Sequence, residues 1–466
     1  MIWPCGTVHS FHRSILREYD IRGVVGKTLF AEDAWAIGRS FGTRVRRAGG
    51  RTVAVGYDGR LSSPALEAAL IRGLTDTGID VVRIGLGPTP MLYYAEAELD
   101  GVDGGIQITG SHNPPDHNGF KMVHAHAPLH GDGIRALGTL AEAGDWEGGT
   151  GHVRDVNVFD AYLDRLVRDV PRHAFRIGWD AGNGAGGAVL AALVQRLPGE
   201  HHVLFTEIDG HFPNHHPDPT VEANLDDLRR LVVEKKLDFG VAFDGDADRL
   251  GAVDSKGRTL RGDQLLTIMA KTLLKSSPGA TVIADVKTSQ SLFDTVATLG
   301  GVPVMWKTGH SLIKAKMRAC GAQLGGEMTG HFFFADRWYG FDDGFYAALR
   351  LIEAVADQGG SLTELHDALP PLVATPELRF PVEDSRKFQV IEEVLARLTA
   401  DGAEVNRADG ARVRTPDGWW LLRASNTGAE LVARAEAKDQ AGLDRLLAQI
   451  DAQLEASGVG LGSVRH

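Results

Sequence analysis

Three times along the chain an apolar strand ends near an aspartate, passes a glycine or serine turn, and runs into a helix and a second strand. The repeats are "RTVAVGYDGRLSSPALEAALIRGLTDTGIDVVRIG", "FRIGWDAGNGAGGAVLAALVQRL" and "ATVIADVKTSQSLFDTVATLGGVPVMWKTG". Short apolar runs alternating with helical periodicity are the mark of βαβ units. In the first repeat, Ser63 and Pro64 predict the N-cap and first turn of the helix. A chain that repeats this rhythm must be α/β, and 466 residues are too many for one ordinary core, so several domains are expected.

A second strand and loop follow in each repeat: "DGGIQITGSHNP", "DFGVAFDGDADR" and "CGAQLGGEMTGH". The polar residues lie just past each strand. Ligands of open α/β sheets sit outside the carboxyl ends of strands, so the three loops are expected to converge on one cleft. From about residue 373 the texture changes, and Leu443, Leu446, Leu447, Ile450 and Leu454 recur at helical spacing on one buried face. This predicts a smaller α+β domain. The expected division is 1–157, 158–258, 259–372 and 373–466, with residues 1–16 as a flexible leader.

The net charge of −12 argues against nonspecific nucleic-acid binding, so an anionic ligand would need local arginines. The 57 glycines fit many tight strand-to-helix turns. No run of ~18 apolar residues predicts a membrane span, and the first twenty residues lack the apolar block of a signal peptide. Cys5 and Cys320 suggest neither a disulfide framework nor a metal site, so a cytoplasmic protein is expected.

"FGVAFDGDADRLGAVD" places Asp244, Asp246 and Asp248 at alternate positions after a buried-looking strand. Three close carboxylates repel one another unless a cation sits among them. An all-oxygen set points to a hard ion such as Mg²⁺. A calcium EF-hand fails, because its sixth and twelfth positions would be Arg249 and Ser255.

In "ITGSHNPPDH", Ser111 follows a strand, and Pro114 drives Asn113 out of the helical region, which stiffens the backbone beside the hydroxyl. A GxSxG elbow is absent, so a hydrolase triad is not supported. A phosphorylated Ser111 would carry about −1.5 to −2 charges and supply a further oxygen to the aspartates' cation. A turn-capping serine is the plainer alternative.

Two further loops carry polar sets. "GGEMTGHFFF" offers Glu327, Thr329 and His331, which can hydrogen-bond vicinal hydroxyls; "LLRASNTGAE" offers Arg423, Ser425, Asn426 and Thr427, a guanidinium fork with short donors suited to phosphate. Either could equally be a polar turn. Against this reading stand Gly182, Gly184 and Gly187, which match the G-x-G-x-x-G dinucleotide fingerprint, with Glu207 twenty residues on. Close helix-on-strand packing would equally explain them. His211, His215 and His216 in "HFPNHHPDP" suggest a metal cluster or, more simply, a proline-pinned surface loop.

Taken in order, "YDIRG", "TGSHNPPDHNGFKM", "FPNHHPDPT", "DGDADR", "DVKTS", "KTGHS", "GEMTGH", "FDDG" and "RASNT" make the chain resemble the α-D-phosphohexomutases, most closely the bacterial phosphomannomutase/phosphoglucomutase group. The resemblance runs from about Arg17 to the C-terminus. It implies four domains around a central cleft, the first three alike. It implies an isomerase of carbohydrate metabolism that interconverts hexose 1-phosphate and hexose 6-phosphate, with a phosphoglucosamine mutase as the alternative. Ser111 would be the phosphoserine, with Asp244, Asp246 and Asp248 holding Mg²⁺ beside it.

Tyr19, Arg22, His112, Lys121, Arg249, Lys287 and His310 would line the cleft near the transferring phosphate, with Lys121 and His310 as acid/base candidates. Glu327, Thr329 and His331 would read the sugar, and Arg423, Ser425, Asn426 and Thr427 would grip the nontransferring phosphate. A hexose 1,6-bisphosphate would form, turn around and return its other phosphate to Ser111. Monomer or dimer, with no nucleic-acid or membrane partner, is expected. Gly428 and Ala429 stand where the family usually has a Glu-Pro-like pair, which puts the stiffness of the phosphate loop in question.

Overall fold

The computed structural model describes residues 8–169, 173–426 and 428–460. The threefold rhythm becomes three mixed sheets with one shared strand order. In the first, His117–His124, Gly104–Ile108, Thr52–Tyr57 and Asp80–Leu86 lie side by side. The same places are taken in the second sheet by Leu250–Asp254, Phe239–Phe243, Phe175–Asp180 and Gly199–Leu204. The third uses Phe332–Phe334, Leu324–Gly326, Thr281–Asp285 and Val302–Trp306. In each set the last three strands are parallel, and the first is antiparallel to its neighbour.

Parallel neighbours need a crossover, which helices Ser63–Thr75, Gly187–Val194 and Gln290–Thr298 supply. The central strands Gly104–Ile108, Phe239–Phe243 and Leu324–Gly326 are buried throughout, as sheets covered on both faces require. Each of them ends in a hairpin to its antiparallel partner. Those three hairpins carry Ser111, the aspartate triplet and Glu327 to His331.

The fourth sheet is antiparallel around Gly418–Ala424 and Glu430–Ala437; Arg423 stands near the end of the first strand, and Ser425 and Asn426 open the loop between them. Helices Lys387–Ala400 and Gln440–Ala456 cover the face that bears Trp420 and Leu422. Trp419 and Leu421, on the other face, pack on Val286 of the third unit. The second and third units share one apolar core, which Met91, Tyr94 and Ala95 of the first unit also join, and the first and fourth units have further cores of their own.

Three expectations change. Ser62, not Ser63, precedes the helix Ser63–Thr75, and neither caps it; the Ser63 hydroxyl donates to Asp58 instead, at 2.6 Å. Thr259–Leu260 pairs with the strand Leu250–Asp254, so the second sheet runs two residues past the expected boundary at 258. The described part of the expected leader is packed: Phe11 and Ile15 join the first core, and His9 Nε2 lies 2.8 Å from Asp33. The apolar side chains responsible are too few and too irregularly spaced to show a periodicity.

Ile15 is fully buried, so Ile15→Ala should cost about 2–5 kcal/mol by urea denaturation. A flexible leader would give no change.

Candidate active site

Ser111 sits at the first of these hairpins with φ +49°, a left-handed conformation uncommon for a residue with a side chain. Four carbonyls fix it. The buried Arg60 guanidinium donates to Ser111 O at 2.7 Å, Asn113 O at 2.6 Å, Pro114 O at 2.5 Å and His117 O at 2.9 Å. Asp58 orients Arg60 from 3.2 Å and accepts the Gly110 N–H at 3.1 Å. A Cβ at Gly110 would stand 2.4 Å from the guanidinium carbon, so only glycine fits there. Arg22 adds bonds to Gly110 O at 3.2 Å and Asn113 Oδ1 at 3.0 Å. Pro114 stiffens one side of the serine, as its sequence position predicts, but the wider restraint is Arg60, some fifty residues away.

The second hairpin meets the first. Ser111 Oγ donates to Asp244 Oδ2 at 2.8 Å, and a Cβ on Gly245 would come within 2.4 Å of Ser111 O. Asp244, Asp246 and Asp248 are fully buried, and their ligand atoms lie within 4.8 Å of one another. Lys121 Nζ bridges Asp246, at 2.7 Å, and Asp248. Asp246 Oδ1 has no hydrogen bond among the described residues, and Asp248 Oδ1 has only the His331 ring, 3.4 Å away.

Burial, then Asp246 and Asp248, push the Asp244 carboxyl well above its ordinary range. Burial opposes charge on Asp248 too, but Lys121 and His331 outweigh it and hold that carboxyl well below its range. Lys121 is raised in return: burial disfavours its charge, and Asp246 and Asp248 overcome that.

The third hairpin brings Glu327 and His331 together at 2.9 Å, while Thr329 Oγ1 approaches His331 Nδ1 at 3.2 Å. Burial works against the imidazolium of His331, yet Asp248 and Glu327 raise it to about 9. His310, whose ring centre is 5.3 Å from that of His331, behaves oppositely. Burial, Lys314 and His331 lower it well below its usual value, so it is neutral near pH 7. Burial and then Arg249 do the same to His112.

The fourth hairpin closes the ring. Arg423 Nε donates to Asp409 at 2.9 Å, while its buried Nη2 has no partner among the described residues. Asn426 donates to the Tyr19 hydroxyl, which itself donates to Thr308 O at 2.6 Å, so Tyr19 joins the first, third and fourth units. Lys387 Nζ, buried behind the loop, donates to Ser425 O at 2.7 Å and Gly428 O at 3.0 Å. This brace acts on the segment where Gly428 and Ala429 replace the family's usual Glu-Pro-like pair. Thr427 lies outside the described residues.

Tyr19, Arg22, His112, Arg249, Lys287, His310, Glu327, Thr329, His331, Arg423, Ser425 and Asn426 line one cleft of about 800 Å³ between the four units. Ser111, Lys121 and the aspartates are buried behind that lining, Ser111 next to His112 and Asp248 next to Arg249. Sequence reading missed Arg60, Asp409, Glu377 and Lys387. Only their residue types could have hinted at them, since each acts on a partner remote in sequence.

The competing motifs resolve differently. A Cβ on Gly187 would stand 2.0 Å from Thr206 O, and one on Gly184 2.8 Å from Gly245 O, so these glycines serve close packing beneath the aspartate hairpin. His215 Nε2 pairs with Asp180 at 3.0 Å and His211 with Asp209 at 2.9 Å. Among the described residues, the groups able to hold a metal are the aspartate triplet and Asp248 with His331 and Asp342.

Family models described as phosphoglucomutase/phosphomannomutase domains I, II, III and the C-terminal domain match residues 13–145, 160–257, 261–373 and 377–453. The chain belongs to the phosphoglucomutase/phosphomannomutase family. It is 44% identical to a phosphomannomutase/phosphoglucomutase of Pseudomonas aeruginosa over 95% of its own length and 96% of that protein. It is also 44% identical to a phosphoglucomutase of Neisseria gonorrhoeae, over 96% and 98%. A crystal structure of a family protein from Burkholderia thailandensis superposes with a TM-score of 0.92 at 44% identity, covering 97% of this chain and 99% of that one.

Lys287 Nζ pairs with Glu377 at 2.6 Å across the third and fourth units, and the lysine lowers the Glu377 carboxyl from 4.5 to about 2. A depressed carboxyl stabilises above its unfolded value and loses that contribution as pH falls toward the folded one. Glu377→Gln should therefore cost up to about 3 kcal/mol near pH 7, and the gap to wild type should shrink below about pH 4.5. Denaturation curves at several pH values measure it, and a pH-independent gap would contradict the pairing.

Proposed function

We propose that the chain is a phosphohexomutase that interconverts mannose or glucose 1-phosphate with the 6-phosphate through phospho-Ser111 and a bound hexose 1,6-bisphosphate. The observation that carries this reading is Ser111 held in left-handed backbone, its hydroxyl 2.8 Å from Asp244 of a fully buried aspartate triplet, directly behind a cleft lined by Arg22, Arg249 and Arg423. Relatives named phosphomannomutase/phosphoglucomutase support the hexose reading over the glucosamine alternative. A structure of a more distant N-acetylphosphoglucosamine mutase is described in complex with glucose 1,6-bisphosphate, which supports the choice of intermediate.

In the proposed step the P–O bond to Ser111 breaks as a P–O bond to the free sugar hydroxyl forms. Neutral His310 is suited to take the hydroxyl proton. Lys121, held protonated by two carboxylates, supplies positive charge or a proton rather than acting as a base. Arg249 and Arg22 would bear on the transferring group, and Arg423 with Ser425 and Asn426 on the other phosphate, so the arginines at the two ends suit a ligand with two anionic termini. Glu327, Thr329 and His331 would hold sugar hydroxyls between them.

The donor set fits a hard cation such as Mg²⁺: it is all-oxygen and buried, and Asp246 Oδ1 lacks a hydrogen bond. Asp244, Asp246, Asp248 and Ser111 would hold the ion, which when bound neutralises charge on the transferring phosphate. The cleft is complete within one chain, so no second copy is required. Phosphorylated sugars do not leave cells freely, which makes the cytoplasm the compartment for this chemistry.

Intact-mass spectrometry should find one added phosphate on the wild type and none on Ser111→Ala. In a coupled assay with mannose or glucose 1-phosphate, Ser111→Ala should lose about 10⁴-fold or more in kcat. An Ser111→Ala enzyme with full activity would overturn the assignment.

A further inference from the structure

A second cavity of about 850 Å³ lies between the third and fourth units and shares no lining residue with the cleft. Helices Gly262–Ser276 and Gln290–Thr298 form one side, the linker at Pro370 and Leu372 another, and the turn 414–419 with strand Glu430–Ala437 the third. Its size is that of small-molecule pockets.

The lining has a definite chemistry. Leu299, 46% exposed although it is a large apolar residue, faces this space together with Leu372 and Pro416. Glu436 lies at its base but is only 2% exposed, and its Oε1 is taken up by Trp419 Nε1 and the Ser289 hydroxyl at 2.8 Å and by Gln290 N–H at 3.2 Å. Around the rim, basic residues outnumber acidic ones. Lys275 is engaged by Asp357 at 2.8 Å, whereas Lys271 and Arg414 have no ion pair among the described residues.

We propose that this cavity binds a small organic anion with an apolar body. The anionic group would meet Lys271 and Arg414, and the body would lie along Leu299 and Leu372. Because its walls come from the third unit, the linker and the fourth unit, a ligand there fixes the fourth unit's position over the cleft. The site does not depend on the mutase reading, and its test reads binding rather than turnover.

Anilinonaphthalene sulfonate has both features and fluoresces on binding; its neutral analogue, phenylnaphthylamine, lacks only the sulfonate. The wild type should bind the sulfonate at one saturable site from which glucose 1-phosphate does not displace it. The double variant Lys271→Glu with Arg414→Glu should bind it about tenfold more weakly, while its affinity for the neutral analogue holds. Leu299→Asp should weaken both probes and provides a separate check should the charge reversal impair folding. Basal activity should be unchanged in all of these variants. Displacement by glucose 1-phosphate, binding at many weak sites, or sulfonate binding that survives both sets of substitutions would overturn the assignment.

Discussion

Three carboxylates with no access to water occupy the centre of this molecule, and most of the site is arranged to make them tolerable. An uncompensated buried charge costs far more than any single packing contact returns. Asp244, Asp246 and Asp248 are met by Lys121 from the first unit, Arg249 from the second and His331 from the third. The charge balance therefore joins three separate sheets at one point. Ser111 enters the same network through Asp244, so the position of its hydroxyl depends on the same balance.

Topology explains how distant stretches reach that point. In each of the first three sheets a fully buried parallel strand turns back through a hairpin to an antiparallel neighbour, and the hairpin lies at the carboxyl end of the strand. The fourth sheet has no parallel core, yet it too delivers its polar loop as a hairpin, between Gly418–Ala424 and Glu430–Ala437. Four hairpins facing one cleft give a ligand contacts at both ends and along its length. Tyr19 and the pair of Lys287 with Glu377 bind the fourth unit to the others across that cleft.

Much of this was legible in the sequence because each hairpin is short and contiguous. "DGDADR" sets its carboxylates within five residues, and "TGSHNPP" combines Ser111 with the prolines that follow it. The threefold rhythm was legible because strand and helix periodicities alternate. What escaped were partners that depend on tertiary structure: Arg60, which reaches four carbonyls of the serine loop, and Lys387, which braces the loop at Ser425 from a helix 38 residues away. Lys121 was legible as a site residue but not as a cation clamped by two aspartates, which changes the proton chemistry open to it. The G-x-G-x-x-G spacing was ambiguous because close backbone approach and phosphate binding both demand glycine, and only the neighbours of Gly184 and Gly187 distinguish the two. Ile15 and Phe11 lie in a stretch too short and too polar to reveal that it packs.

The central claim is that Ser111 carries phosphate to a sugar rather than to water. Its most direct test is a single turnover of enzyme bearing radiolabelled phosphate on Ser111, mixed with unlabelled glucose 1-phosphate and quenched at short times. The account predicts that label leaves the protein and appears in glucose 1,6-bisphosphate, then in glucose 6-phosphate. Label that stays on the protein, or is released as inorganic phosphate, would contradict it.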